Sequence, residues 1–186
     1  MDLHRVAGLL VITAFCGQSQ DAPAPLNLNG ILVQCSNESR PRECHKSQVA
    51  MRLALEAIRP ALRDWRFVVV PDNRWAQTCA TFRLERCVLA FSHLGIRATY
   101  LNSRLANLVE GPHWDEELAR FTPLTGMPRL EWVLGHELGH ILCGTAAEDI
   151  AEDAGNRMRR SSSHEVTCLQ TDRFQAGSHS TLLVRR

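Results

Sequence analysis

The chain lacks an apolar run long enough to span a bilayer. Its longest, Val6–Cys16, is eleven residues, whereas a transmembrane helix needs about 20. It also lacks a bias of charge: 21 Lys and Arg stand against 20 Asp and Glu, a net charge of +1. That balance excludes a partner held by bulk electrostatics, whether nucleic acid or an anionic membrane surface. Heptads, repeats of 20–50 residues and low-complexity tracts are absent, which excludes coiled coils and solenoids. No two cysteines form a CxxC pair, so a cysteine-rich zinc knuckle is excluded as well. What remains is one globular domain of ordinary apolar content, 45%, able to bury its own core.

The first residues carry an export pattern. Arg5 precedes the uncharged run VAGLLVITAFC, and the polar stretch GQSQDAPAP follows it. These are the n-region, h-region and exit of a secretory signal, expected over 1–16, with a linker over 17–25. Seven cysteines are present, and removing the segment with Cys16 leaves six: Cys35, Cys44, Cys79, Cys87, Cys143 and Cys168. An even number suits three disulfides in an oxidising compartment. Six cysteines allow many pairings; joining nearest neighbours gives Cys35–Cys44, Cys79–Cys87 and Cys143–Cys168. Localisation is therefore expected to be periplasmic or secreted, the protein being either free or anchored through its N-terminal segment.

Leu26–Gln34 reads as a weak strand broken by Gly30. Ser47 is placed to cap a helix running to about Trp65, with Pro60 kinking or ending it. RFVVV (66–70) reads as a buried strand closed by Pro71-Asp72-Asn73. Further strands are expected around Cys87–Phe91 and over RATYLN (97–102). Gly111-Pro112 marks a loop, and Trp114–Arg120 reads as a short helix. Strands gather in the first half and helices in the second, which favours α+β over regular βαβ alternation.

One motif carries chemistry. His136-Glu137-Leu138-Gly139-His140 is HExxH. On a helix, residues i and i+4 share a face, so both imidazoles can reach one metal ion. Glu137 is placed to contact a metal-bound water. Zn²⁺ brings the pKa of such a water to about 7, and the carboxylate takes its proton as it attacks a carbonyl. HExxH on a helix is a metalloprotease signature. Its surroundings fit: Pro128 suits an early helical position, no breaker interrupts Arg129–Cys143, and Gly144 suits the residue past the helix end. Leu130, Leu134, Leu138 and Ile141 form an apolar stripe beside the histidine face. Gly135 and Gly139 weaken the helix, which points to close packing against a neighbouring element.

Such a site needs a third protein ligand. HExxHxxGxxH is not met, because Cys143 and Ala146 occupy the diagnostic positions. Thr145-Ala146-Ala147-Glu148 is a capping box opening a second helix that runs to about Arg160. Glu152, one turn into it, is the first choice of ligand. Gly155 lets the helices approach, and Asn156 is placed to hydrogen-bond a metal-bound histidine. Glu148, with a structural task at the helix start, is the alternative ligand. His164 and Cys143 stand further back, Cys143 being more simply paired with Cys168.

HELGH followed by Glu152-x-x-Gly155-Asn156 resembles the gluzincins, in which a Glu of a second helix is the third ligand. The compact size is similar to minigluzincins and to anti-repressor peptidases of the phage-immunity type, and the resemblance covers about Arg129–Arg160. It implies a small sheet before the active-site helix, with an edge strand that binds substrate in extended form; RATYLN is the candidate. It also implies a Tyr or His stabilising the oxyanion, for which Tyr100, His113 and His93 are the candidates.

Together these readings predict an α+β fold: a small mixed sheet from the N-terminal half, packed on an active-site helix and a second ligand-bearing helix and stabilised by disulfides. The domain is expected over 26–160, with a polar tail over 161–186. The expected activity is zinc-dependent hydrolysis of a peptide or protein substrate, with His136, His140 and Glu152 on Zn²⁺ and Glu137 as general base. The competing reading is an exported zinc-stabilised or disulfide-rich binding or inhibitory module without catalysis.

Overall fold

The computed structural model describes residues 23–107, 126–160, Cys168 and 183–185. The export segment 1–16, the Trp114–Arg120 helix, His113, His164 and most of the polar tail lie outside the described residues.

The chain enters through a tight hairpin. Strand β1 (Leu26–Leu28) pairs antiparallel with β2 (Ile31–Cys35), Leu28 opposite Ile31. The two linking residues, Asn29 and Gly30, have φ of 52° and 94°. Two consecutive positive φ values match the twist of flanking strands, and Asn-Gly is the pair that adopts them most readily. The expected single strand broken at Gly30 is thus two strands with Gly30 in the turn.

Helix α1 (Pro41–Ile58) begins earlier than the sequence reading placed it, with Pro41 in its first turn, where the missing N–H costs nothing. Ser47 lies in the buried interior of the helix, and its hydroxyl reaches Asn107 Oδ1 at 2.8 Å. The helix stops at Arg59, left-handed with φ 49°, one residue before Pro60. Strand β3 (Trp65–Val70) follows. Pro71 closes it, but Asp72 then opens helix α2 (Asp72–Thr81), which the turn-like Pro-Asp-Asn reading missed. Strands β4 (Ala90–His93) and β5 (Ala98–Asn102) come next, then the single-turn helix α3 (Ser103–Ala106). Helices α4 (Gly126–Cys143) and α5 (Glu148–Arg160) and the short strand β6 (Leu183–Arg185) follow.

The sheet order is β1-β2-β3-β5-β4-β6. β2, β3 and β5 run parallel to one another, while β1, β4 and β6 pair antiparallel with their neighbours. The fold is therefore α+β with a mixed sheet. RATYLN is not an edge: β5 lies between β3 and β4, and β4 in turn carries β6. A three-strand parallel run buried on both faces needs apolar side chains on both, and WRFVVV and ATYLN supply them.

Strand alternation divides the side chains between two cores. Ile31, Val33, Trp65, Phe67, Val69, Ala90 and Leu101 face α1 and α4, joining Met51, Leu55, Leu130, Leu134 and Leu138. Val68, Val70 and Phe91 face the other way and pack with Trp75 and Cys79 of α2. Three disulfides join nearest neighbours: Cys35–Cys44 between β2 and α1, Cys79–Cys87 between α2 and the approach to β4, and Cys143–Cys168 at the end of α4. Such bonds persist in an oxidising environment. Among the described residues no helix is long and apolar enough to cross a membrane.

Candidate metal centre

HExxH sits in the last two turns of α4. His136, Glu137 and His140 are 2%, 1% and 0% exposed. An i, i+4 pair on one helix face brings the imidazole edges together: His136 Nε2 and His140 Nε2 lie 2.8 Å apart. The carboxylate that joins them belongs to Glu148, in the first turn of α5. Its Oε2 is 3.1 Å from His136 Nε2 and 3.7 Å from His140 Nε2. Among the described residues this is the one group of three or more His, Cys, Asp or Glu side chains that could hold a metal ion. Bonds of about 2.0–2.2 Å to a tetrahedral ion set its edges at about 3.3–3.6 Å, and the three observed separations bracket that length. The donor set fits a divalent ion. Glu148 is 44% exposed, so the solvent side of the group is the carboxylate side.

The helix end fixes His140. Gly144 adopts φ 57° past the end of α4, and the chain turns back so that Thr145 N–H donates to the His140 carbonyl at 3.2 Å. This is the six-to-one bond of a Schellman turn, which needs a left-handed residue where Gly144 stands. The same turn puts the Thr145 carbonyl 2.9 Å from His140 Nδ1. A carbonyl only accepts, so Nδ1 carries the proton and Nε2 presents its lone pair to the metal position. Thr145 Oγ1 also accepts from the Ala147 N–H at 3.0 Å, leading the chain into α5. The ring of His136 stacks on Trp132, with centroids 5.9 Å apart.

Two glycines let α5 lie on the histidine helix. A Cβ on Gly139 would meet the Ala151 carbonyl oxygen at 2.1 Å, and one on Gly155 would meet the Gly135 carbonyl oxygen at 2.5 Å. This is the close packing that the cost of Gly135 and Gly139 to their helix foretold. It also explains why Glu148 rather than Glu152 completes the group. Ala151 and Gly155 form the face against α4, and only four residues separate the helices, so the first turn of α5 lies beside the last turn of α4. Glu152 is about 40° further round the helix and about 6 Å further along it, and it stays outside the group. Among the described residues no hydrogen bond joins Asn156 to either histidine. Cys143 is in its disulfide and offers no thiolate.

Burial raises the Glu148 carboxyl, but hydrogen bonds and charge from His136 and His140 outweigh it and hold the group well below the usual carboxylate range. An ionised carboxylate facing two imidazoles is the state a cation needs.

The sheet supplies one hydrogen bond to Glu137. Ser92 Oγ donates to Glu137 Oε2 at 2.6 Å. Ser92 lies opposite Thr99 across β4 and β5, with hydroxyls 2.8 Å apart, and Trp65 Nε1 donates to Thr99 Oγ1 at 3.0 Å. No spacing in the sequence marks Ser92 or Thr99; only the sheet register brings them under α4. The same alternation places Tyr100 and His93 on the opposite face. Tyr100 stacks on Phe91 with centroids 5.1 Å apart, and His93 meets the edge of Phe82 at 5.8 Å. The sheet thus lies between both side chains and Glu137.

Comparison with family models, curated proteins and solved structures returned no match.

Proposed function

We propose that the protein is an exported zinc-dependent metallopeptidase acting on a peptide or protein substrate. The observation that carries this reading is the convergence of His136, His140 and Glu148, with Glu137 one residue past the first histidine on the same helix. Imidazole and carboxylate donors at tetrahedral spacing suit Zn²⁺. Zinc held there supplies Lewis acidity and a nucleophilic water near neutral pH. The chain's own residues do the rest. Thr145 holds His140 in the ligating tautomer, Glu148 brings one negative charge and opens the site to solvent, and Glu137 is the general base that later passes its proton to the leaving amine. The disulfides favour a periplasmic or secreted setting.

The near-complete burial of Glu137 favours one second reading, a metal-stabilised binding module without catalysis. Metal content and hydrolysis across four proteins separate the two. On the peptidase reading the wild type holds one zinc per chain, and Glu148→Ala loses it while Glu152→Ala keeps it. Glu137→Gln keeps zinc but loses about 10²–10⁴-fold in hydrolysis of a peptide library. Zinc without hydrolysis in the wild type establishes the binding module. No zinc, even after reconstitution, removes both readings.

A further inference from the structure

We propose that Ser92 and Thr99 are positioning residues that fix the carboxylate of Glu137 through a one-way hydrogen-bond relay starting at Trp65; the inference rests on the reading of Glu137 as general base. Proton counting sets the direction. The Trp65 indole N–H can only donate, so Thr99 Oγ1 accepts at 3.0 Å. An ionised carboxylate can only accept, so the single Ser92 proton goes to Glu137 Oε2 at 2.6 Å. Ser92 then has no second proton for its neighbour, and the 2.8 Å contact between the hydroxyls is a donation from Thr99 to Ser92. Every hydrogen in the chain Trp65, Thr99, Ser92 points towards Glu137.

Position and burial make the relay more than local packing. Ser92 and Thr99 are both 0% exposed, and Trp65 is 3% exposed. Water does not compete there, and successive bonds polarise one another. The three residues come from three adjacent strands, β3, β5 and β4, so the anchor is as rigid as the sheet. Glu137 belongs to α4, and the bond from Ser92 ties the acting carboxylate of that helix to the sheet. A general base works only when held at hydrogen-bond reach of its proton and within about 0.5 Å of the productive geometry. Ser92 sets the rotation of the Glu137 carboxylate by taking Oε2, and Thr99 commits Ser92's proton to that task.

The test uses the full oxidised chain in four forms: wild type, Ser92→Ala, Thr99→Val and Thr99→Ser. Thr99→Val keeps the shape of the side chain and removes the hydroxyl; Thr99→Ser restores it. All four should hold the same zinc and have similar KM. The expected kcat falls at least about 10-fold in Ser92→Ala, the scale of a lost hydrogen bond to a charged group. It falls less in Thr99→Val and recovers in Thr99→Ser. Unchanged kcat in both Ser92→Ala and Thr99→Val overturns the proposal. So does a drop in kcat matched by loss of folded protein, with the folded fraction as active as wild type.

A second readout does not need catalysis. The indole proton resonance of Trp65, identified by its disappearance in Trp65→Phe, should shift in Ser92→Ala and also in Glu137→Gln, which alters the far end of the relay. An indole resonance unmoved by either substitution overturns the relay. If the wild type hydrolyses no peptide while the indole responds, the peptidase reading fails and the fixing of Glu137 by Ser92 stands.

Discussion

Adding one methyl group to Gly139 should remove the third ligand from the metal group, and adding the same group one turn earlier, at Gly135, should not. A Cβ on Gly139 would lie 2.1 Å from the Ala151 oxygen, 2.8 Å from its carbonyl carbon and 2.9 Å from its Cα. All three are backbone atoms of α5, so no rotamer change relieves them. Reaching an ordinary carbon–oxygen contact of about 3.4 Å requires α5 to move by about 1.3 Å. Glu148 is three residues from Ala151 on that helix, and metal–ligand distances tolerate only about 0.2 Å. The shift therefore withdraws the Glu148 carboxylate from the histidines. A Cβ on Gly135 meets Arg159 Cδ at 3.1 Å, the Gly155 oxygen at 3.3 Å and Arg159 Cγ at 3.4 Å. The flexible arginine can swing aside, and the backbone contact needs only a small adjustment.

Both substitutions gain about 0.8–1 kcal/mol of helix propensity. For Gly135→Ala that gain is nearly the whole effect, so stability holds or rises slightly. For Gly139→Ala an overpacking cost of about 1–3 kcal/mol works against it, leaving a net loss of up to about 2 kcal/mol, or a Tm lower by up to about 8 °C. Zinc affinity should fall at least about 100-fold, the upper end of what disturbing a ligand's support costs. Thermal melts with and without zinc, and zinc titration against a competing chelator, measure both. Equal behaviour of the two alanine variants, or wild-type zinc affinity in Gly139→Ala, refutes the claim that close approach of α5 places Glu148.

Thr145→Ala removes the acceptor of the Ala147 N–H and should cost about 0.5–2 kcal/mol, the range for a lost helix-start cap, with a modest loss of zinc affinity; an unchanged Tm contradicts the role of the hydroxyl. Chelation of the wild type should lower its Tm, and zinc should restore it; at 1,000 times Kd the linkage is about 4 kcal/mol, and a Tm indifferent to chelator and zinc rules out a bound ion. Burial raises the Tyr100 phenol above its ordinary value of 10.0 despite the nearby Arg66 charge, which lowers it. The unfolded chain therefore ionises first, so stability is lost as pH rises above about 10. Because Tyr100 is the only tyrosine, phenolate absorbance reports its midpoint directly, and a midpoint at or below 10 contradicts the packing of its ring against Phe82 and Phe91.

The helix pair was legible because its signals are local. Pro128, the unbroken run to Cys143, Gly144, and the capping residues before Glu148 each act within a turn or two, and α4 and α5 end close to where those signals put them. Nearest-neighbour disulfides were legible for the same reason, since short loops close easily. Helix α2 was missed because Pro71-Asp72-Asn73 serves equally as a turn and as a helix start, and only packing of Trp75 and Cys79 on the sheet decides between them. The Asn29-Gly30 hairpin was present in the sequence as a dipeptide with a strong preference for consecutive positive φ.

By itself, the sequence determined the HExxH pair, since a four-residue spacing on a helix leaves both imidazoles on one face whatever surrounds them. It also determined that the helix needs a close neighbour, through Gly135 and Gly139. Tertiary structure alone decided which carboxylate faces the histidines, which strand lies over Glu137 and which face of the sheet receives Tyr100. Glu148 and Glu152 are both sound helical glutamates, and what separates them is a rotation of about 40° about α5, fixed where Ala151 rests on Gly139. Ser92 is 45 residues from Glu137, so only the registered pairing of β4 and β5 beneath α4 could bring it there.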